Sequence, residues 1–169
     1  MSEYTYERRS HSDGSVWAEE WFKDDRLHRD NDMPARIIYH KDGSVRSEEW
    51  WKDGKRHCDN DKPAWILYRE DGSVRSEHWW KDGKYHRGND KPARVYYYKD
   101  SSVSSELWYK DGKCHRDNDM PAKIYYYDDG SIRSESWYKD GVPYTPKEDT
   151  CDGKTFEIDG KTYKLILID

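Results

Sequence analysis

A histidine followed closely by carboxylates recurs in the sequence at intervals of 29 residues, as in His28-Arg29-Asp30-Asn31-Asp32. Imidazole beside carboxylate is a combination that binds metals and that moves protons in general acid–base catalysis. The histidines of the series are His28, His57, His86 and His115, and the final aspartates are Asp32, Asp61, Asp90 and Asp119. This segment is therefore the first candidate for a functional site.

Metal binding is the weaker interpretation of the segment. Its acidic run lacks the alternate spacing and the downstream Glu of an EF-hand loop, and Gly88 removes one carboxylate from the third copy. The favoured alternative is an Asx turn, in which Asn and Asp bond their own backbone ahead of a proline that begins the next strand. The prolines are Pro34, Pro63, Pro92 and Pro121, and Ala follows each of them. We expect no metal and no other cofactor.

Catalysis is also disfavoured, because four equivalent copies are what a scaffold needs and an enzyme needs one asymmetric site. His-Arg-Asp resembles part of a kinase catalytic loop, but the sequence has no glycine-rich phosphate loop and no Asp-Phe-Gly element. We expect each imidazole to pack beside a recurring Trp, with its N–H bonded to a nearby carboxylate. The sequence predicts a protein that is not an enzyme.

A 29-residue repeat positions these side chains. Its tryptophans are Trp21, Trp50, Trp79, Trp108 and Trp137. Four full units are present, with a partial unit at each end, and the pattern decays after Gly141. We divide the chain into a repeat array at residues 1–141 and a C-terminal cap at 142–169. The cap has a capping-box pattern at Thr145–Glu148 and a hairpin pattern from Thr155 to Ile168.

Each unit contains two Asp-Gly signals, such as Asp53-Gly54 and Asp71-Gly72, between aromatic and β-branched segments, with Asp100-Ser101 as the one substitution. Asp-Gly is typical of type I′ hairpin turns, in which both central residues need positive φ. The sequence therefore predicts an all-β fold in which antiparallel hairpins form an open meander, as a single-layer or coiled sheet with a hairpin cap.

The composition restricts both the core and the partners. Only 21 of the 169 residues are Leu, Ile, Val or Phe, whereas 24 are Trp or Tyr, so any core must be aromatic. The net charge of −5, with both signs interleaved, gives no electrostatic support for binding to nucleic acid or an anionic membrane. Without a signal-like or spanning segment, we expect a soluble cytoplasmic protein. The three cysteines have no CxxC spacing and are interpreted as reduced thiols.

The second ring of each aromatic pair is the candidate binding position. Trp recurs at the first position of each pair, which indicates packing, whereas the second position varies between Trp and Tyr. Pleating sends neighbouring residues to opposite faces. We therefore predict a protein-binding surface that contains Trp51, Trp80, Tyr109 and Tyr138. Two alternatives stay open: both rings supply the core, or the second rings bind sugars or choline-like cations.

The segment from Trp50 to Ala64 resembles the tandem repeats of giant viruses and large phages, whose units follow the pattern W-x-K-(D/N)-G-K-x-H-R-x-x-x-x-P-A. These proteins are grouped loosely with MORN-like and YwqK antitoxin-like repeats. The resemblance covers about residues 13–141, with Cys58 at the Arg position. It implies a virus-encoded β-hairpin array that contacts an unidentified host or viral protein, such as a defence factor. A looser similarity to choline- and glucan-binding repeats makes carbohydrate or choline binding the alternative. The oligomeric state is left open.

Overall fold

The computed structural model describes residues 2–146, 155–158 and 161–164. These residues form twenty β-strands and no helix, which confirms the all-β class. In chain order the strands are β1 (Tyr4–Ser10), β2 (Val16–Lys23), β3 (Arg26–Leu27), β4 (Arg36–Tyr39), β5 (Val45–Glu49), β6 (Trp51–Lys52), β7 (Lys55–Arg56), β8 (Trp65–Tyr68), β9 (Val74–His78), β10 (Trp80–Lys81), β11 (Lys84–Tyr85), β12 (Arg94–Tyr97), β13 (Val103–Leu107), β14 (Tyr109–Lys110), β15 (Lys113–Cys114), β16 (Lys123–Tyr126), β17 (Ile132–Lys139), β18 (Val142–Tyr144), β19 (Thr155–Ile158) and β20 (Lys161–Lys164).

One open sheet contains most of the strands, and its order follows the chain: β1-β2-β4-β5-β8-β9-β12-β13-β16-β17-β18, with β3 beside β2. Every neighbouring pair along this path is antiparallel. The predicted meander of hairpins is therefore confirmed. The short strands β6–β7, β10–β11 and β14–β15 form separate two-stranded hairpins. Each full unit thus consists of a long hairpin, a short hairpin and a loop that leads to the next unit.

The two Asp-Gly signals of a unit form different turns. In the short hairpins both turn residues have positive φ, with Asp53 at 49° and Gly54 at 78°, as a type I′ turn requires. In the long hairpins only the residue after the aspartate is left-handed, for example Gly43 at 89°, or Ser101 at 71° in the hairpin that has no glycine. There the Asp42 carboxylate accepts bonds from the amide and the hydroxyl of Ser44. The prediction of type I′ geometry was wrong for this second turn, because its aspartate stabilises the loop through its side chain.

The buried apolar residues are not only aromatic, which corrects the expectation of an aromatic core. The alanines that follow the repeat prolines have no exposed surface: Ala35, Ala64, Ala93 and Ala122. Around Ala93, one cluster combines Trp79 with Val95, and the next unit repeats it with Trp108, Ala122 and Ile124. A small residue is needed here because the tryptophan of one unit and the first strand of the next meet at this point.

The C-terminal hairpin pairs β19 with β20, from Thr155↔Lys164 to Ile158↔Lys161. The predicted helical turn at Thr145–Glu148 and the aliphatic run at 165–168 extend outside the described residues. The assignment of 142–169 as a cap stays a prediction.

Candidate functional site

The recurring tryptophans bind each unit to the one before it. The Trp79 indole N–H donates to the main-chain oxygen of Asp61 at 3.0 Å, 18 residues earlier. The Trp79 amide donates to the oxygen of Ala93 in the following unit at 2.8 Å. The same indole bond is made by Trp50, Trp108 and Trp137 to Asp32, Asp90 and Asp119. We call this set of contacts between successive units the joint.

The tryptophans differ in how far they are covered. Trp79 and Trp108 are 6% and 5% exposed, whereas Trp21, Trp50 and Trp137 are half-buried. The coverage of Trp79 comes from Ala93 and Val95 of the next unit. The two central tryptophans are therefore the best-packed rings of the array.

Each repeat histidine accepts a hydrogen bond from the short hairpin of the next unit. Nδ1 of His57 accepts the amide of Asp82 at 3.2 Å, with the carboxylate of Asp82 3.1 Å away, and Nε2 donates to Asp59 at 3.0 Å. His28 and His115 repeat the arrangement. In the third unit, where Gly88 replaces the aspartate, His86 keeps the bond from the Asp111 amide at 3.3 Å. These rings join the short hairpins of successive units.

The aspartates of the repeat accept charged partners from the next unit. Asp61 pairs with Arg87 (Nε–Oδ1 2.7 Å) and Lys91 (2.6 Å), and these bonds lower the pKa of Asp61 to about 2. The main chain here forms a turn in which Asn60 and Asp61 both have positive φ. The predicted turn before the proline is present. The expected Asx turn was wrong for Asp61, because its carboxylate bonds to side chains of the next unit and not to its own main chain.

Cys58 interrupts this pattern in the second unit. It stands where the first, third and fourth units carry an arginine, and its Sγ lies 3.6 Å from the Asp32 carboxylate, which Lys62 also contacts. Burial and the nearby Asp32 raise the pKa of the Cys58 thiol to about 12. Cys58 and Cys114 are both free thiols.

The four predicted binding residues, Trp51, Trp80, Tyr109 and Tyr138, are all half-buried. We call them the ring row. Neighbouring side chains lie against these rings: the Arg56 guanidinium is 4.9 Å from Trp51 and 5.4 Å from Trp80, and the Tyr85 ring is 3.9 Å from Trp80. The two rings of a pair have different partners, because the Trp51 indole donates to Glu49 whereas that of Trp50 donates to Asp32.

The side chains around the ring row change from one unit to the next. Three positions carry different residues in successive units: Glu49, His78 and Leu107; Arg56, Tyr85 and Cys114; Trp65, Arg94 and Lys123. The contacts change with them. Arg56 pairs with Glu49 at 2.9 Å, Arg94 lies 5.1 Å from the Tyr85 ring, and Lys123 lies 4.2 Å from Tyr138. These neighbours have no recognisable motif within a single unit, and only the alignment of successive units reveals their variation.

A second regular feature that the sequence analysis missed is a glutamate–tyrosine ladder. The hydroxyl of Tyr68 donates to Glu48 of the preceding unit at 2.6 Å, and the same bond joins Tyr39, Tyr97 and Tyr126 to Glu19, Glu77 and Glu106. Burial and the adjacent carboxylate raise the pKa of each of these tyrosines. The signal was a Glu and a Tyr 20 residues apart in every period.

Three similar clefts lie between successive loops, with volumes of about 200, 280 and 200 Å³. The first is lined by His28, Asp30, Trp50, Trp51 and Cys58, among others. Within the described residues, no three His, Cys, Asp or Glu side chains converge as metal ligands would. The part of the chain that the structure describes also contains no helix that is long and apolar enough to cross a membrane.

No protein-family model matches the chain, and no curated protein is significantly similar to it.

Proposed function

We propose that this protein is a non-enzymatic repeat module that binds another protein through the ring row and its neighbouring side chains. The tryptophan, the histidine and the final aspartate recur at every joint between full units, whereas the neighbours of the ring row change from unit to unit. This variation on a constant backbone is the observation that carries the proposal.

The variation favours an asymmetric partner. The half-buried neighbour of Trp51 is Arg56, which is paired with the buried Glu49, whereas the half-buried neighbour of Tyr109 is Cys114, and the buried residue at the position of Glu49 is Leu107. A polymer of identical sugars would need the same side chains at each 29-residue step. The neighbours of the ring row differ from one step to the next. A folded protein presents different groups along its length, which suits the change from charged to apolar neighbours. Half-exposed Trp, Tyr and Arg are also the side chains most often found at the energetic centres of protein interfaces. The resemblance to viral repeat proteins supports a host or viral factor as the partner.

Site-specific photo-crosslinking tests the proposal. A photoreactive phenylalanine at Trp80 or Tyr109 should give one dominant crosslinked protein in extracts of infected host cells, and unlabelled wild-type protein should compete for it. The matched control places the same group at Tyr127, which is exposed and lies beside Arg133. Equal crosslinking at Tyr127 and Trp80, or none at the ring row, would contradict the proposal.

Carbohydrate or choline binding is a second candidate, favoured by the three similar clefts. Each contains a recurring Trp beside His and Asn side chains, a lining that suits a repeating ligand. Titration with a panel of glycans and choline should then shift the Trp fluorescence with a stoichiometry near three. An unchanged spectrum across the panel would remove this candidate.

A further inference from the structure

The main sheet has one outer edge on β1 and another on the first part of β17. Within the described residues, nothing pairs with the outer side of β1 or with that of Ser134–Ser136. At each internal joint the corresponding segment pairs with the next long strand, as Ser47–Glu49 does with Trp65–Leu67. An edge of this kind is a template for another strand.

The strand β1 has the position and direction to continue the sheet beyond β17. Its residues Glu7 and Arg8 pair with Glu20 and Glu19 of β2, just as Arg36 and Ile37 pair with β5. It is therefore the equivalent of β4, β8, β12 and β16. Ten long strands alternate in direction from β1 to β17, so the place after β17 requires a strand that runs as β1 does.

We propose that copies of this chain join head to tail, with β1 of one copy pairing antiparallel with Ser134–Ser136 of another. The internal register, transferred to this contact, places Arg8 opposite Glu135 and puts Glu7 and Arg9 opposite serines. This interface uses the two outer edges of the sheet and comes close to only one member of the ring row, Tyr138 of β17, so it does not depend on the proposed function.

Charge complementarity supports this partner. At the internal joints the glutamates equivalent to Glu135 face aliphatic residues: Glu19 faces Ile37, Glu48 faces Ile66, Glu77 faces Val95 and Glu106 faces Ile124. The new contact would set Glu135 against Arg8, as Glu19 is set against Arg8 within one chain, and the side chains of Glu135 and Arg8 are both exposed. Two β1 edges paired about Arg8 would set Arg8 against Arg8, and two β17 edges paired about Glu135 would set Glu135 against Glu135, so both of these symmetric contacts place like charges opposite each other. The charges thus select the heterologous contact.

The new contact would also cover the outermost tryptophan. Trp79 is covered by Val95 of the following unit, whereas Trp137 is half-buried, as Trp21 and Trp50 are, and has no following unit within the described residues. Arg8 occupies the place equivalent to Val95, so its side chain would lie against Trp137, where a guanidinium group is attracted to the indole face. Because such a contact uses different surfaces on the two copies, it extends to open chains unless its rotation closes a ring.

Sedimentation velocity of the full chain tests the proposal. At low ionic strength the average mass should rise with concentration above the 20.4 kDa of one chain. The single variants R8E and E135R should each weaken association by at least about tenfold, because like charges then face each other. An equimolar mixture of the two variants should associate as the wild type does, because each contact again joins opposite charges. A wild-type chain that stays monomeric at all concentrations, or a mixture that fails to associate, would overturn the proposal.

Hydrogen exchange provides a readout that does not depend on substitution. The amides of Glu135 and Trp137 should become protected as concentration rises and should exchange freely in the monomer. Protection that is equal at every concentration would show that the chain's own residues cover this edge, and that would also refute the proposal. Thermal melting of both variants in dilute solution checks that each one is folded.

Discussion

The guanidinium carbon of Arg87 lies 3.7 Å from the centre of the Trp79 ring. The same group pairs with Asp61 of the preceding unit and donates to the Pro92 oxygen at 3.3 Å. One side chain thus covers the ring, ties two units together and fixes the loop before the next strand. Arg29 and Arg116 lie over Trp21 and Trp108 at 3.7 and 3.8 Å.

Replacing Cys58 with arginine should stabilise the protein. C58R would restore a cation over Trp50 and an ion pair to Asp32, which together contribute about 1 kcal/mol at such half-exposed positions. The melting temperature measures the gain. The reverse substitution, R87C, is the matched control and should lower stability by at least a similar amount. Unchanged melting in both variants would show that the arginine is dispensable at the joint.

Gly88→Asp should strengthen the joint of the third unit. A side chain at this position meets open space. A carboxylate there would accept a hydrogen bond from Nε2 of His86, as Asp59 does from His57. We expect the free energy of unfolding to rise by about 0.5–1 kcal/mol, as measured by denaturant titration. The comparison variant D59G removes the equivalent bond and should lose a comparable amount. If G88D destabilises the chain, the histidine bond does not explain the repeated aspartate.

Trp79→Ala should mainly reduce stability, whereas Trp80→Ala should mainly reduce binding of the partner. Trp79 is buried and hydrogen-bonded across the joint, so its removal should cost about 3–5 kcal/mol. Trp80 is half-buried, so its loss should cost clearly less stability while it weakens capture of the partner. Chemical denaturation measures the first effect and crosslinking yield the second. Equal destabilisation by the two variants would show that both rings belong to the core.

His78 should make the protein sensitive to acid. The side chain is 2% exposed, and burial, with Arg94 and Arg56 nearby, lowers its pKa to about 3. Its pKa in an unfolded chain is about 6.5, so between these values the unfolded state binds a proton that the folded state lacks. Stability should therefore fall as the pH drops from 6.5 towards 3.

The variant H78L provides the control, because the next unit carries a buried leucine, Leu107, at the same position. Carboxylates such as Asp61 also contribute to acid unfolding, so the quantity to measure is the difference between variant and wild type. We expect that difference to grow in favour of H78L as the pH falls below 6.5. A constant difference would show that His78 does not carry this sensitivity.

The glutamate–tyrosine ladder should make the protein sensitive to alkali. Burial and the bond to Glu48 raise the pKa of Tyr68 above its usual value, so the folded state keeps a proton that the unfolded state releases near pH 10. Stability should fall as the pH rises above 10. Y68F should lose about 1 kcal/mol at neutral pH and then lose less than the wild type above pH 10. Parallel pH curves for the two proteins would contradict this assignment.

The sequence was sufficient to predict the meander, because the 29-residue period and the Asp-Gly pairs specify strands and turns locally. The first-position tryptophans were also identified, since an invariant large ring in a repeat indicates packing. The contacts between units could not be predicted, because partners such as Asp61 and Arg87 meet only when two units are stacked. The second turn type was missed for a different reason: Asp42 uses its side chain, which a dipeptide pattern does not reveal.

The joints close over short stretches of sequence: 18 residues separate Trp79 from Asp61, 25 separate Asp82 from His57, and 26 separate Arg87 from Asp61. The entropy cost of closing a loop grows with its length, and local contacts make folding fast. A unit can therefore pack against the preceding unit as soon as both have left the ribosome, before the C-terminus has been synthesised. Synthesis and folding can then advance together, one 29-residue step at a time.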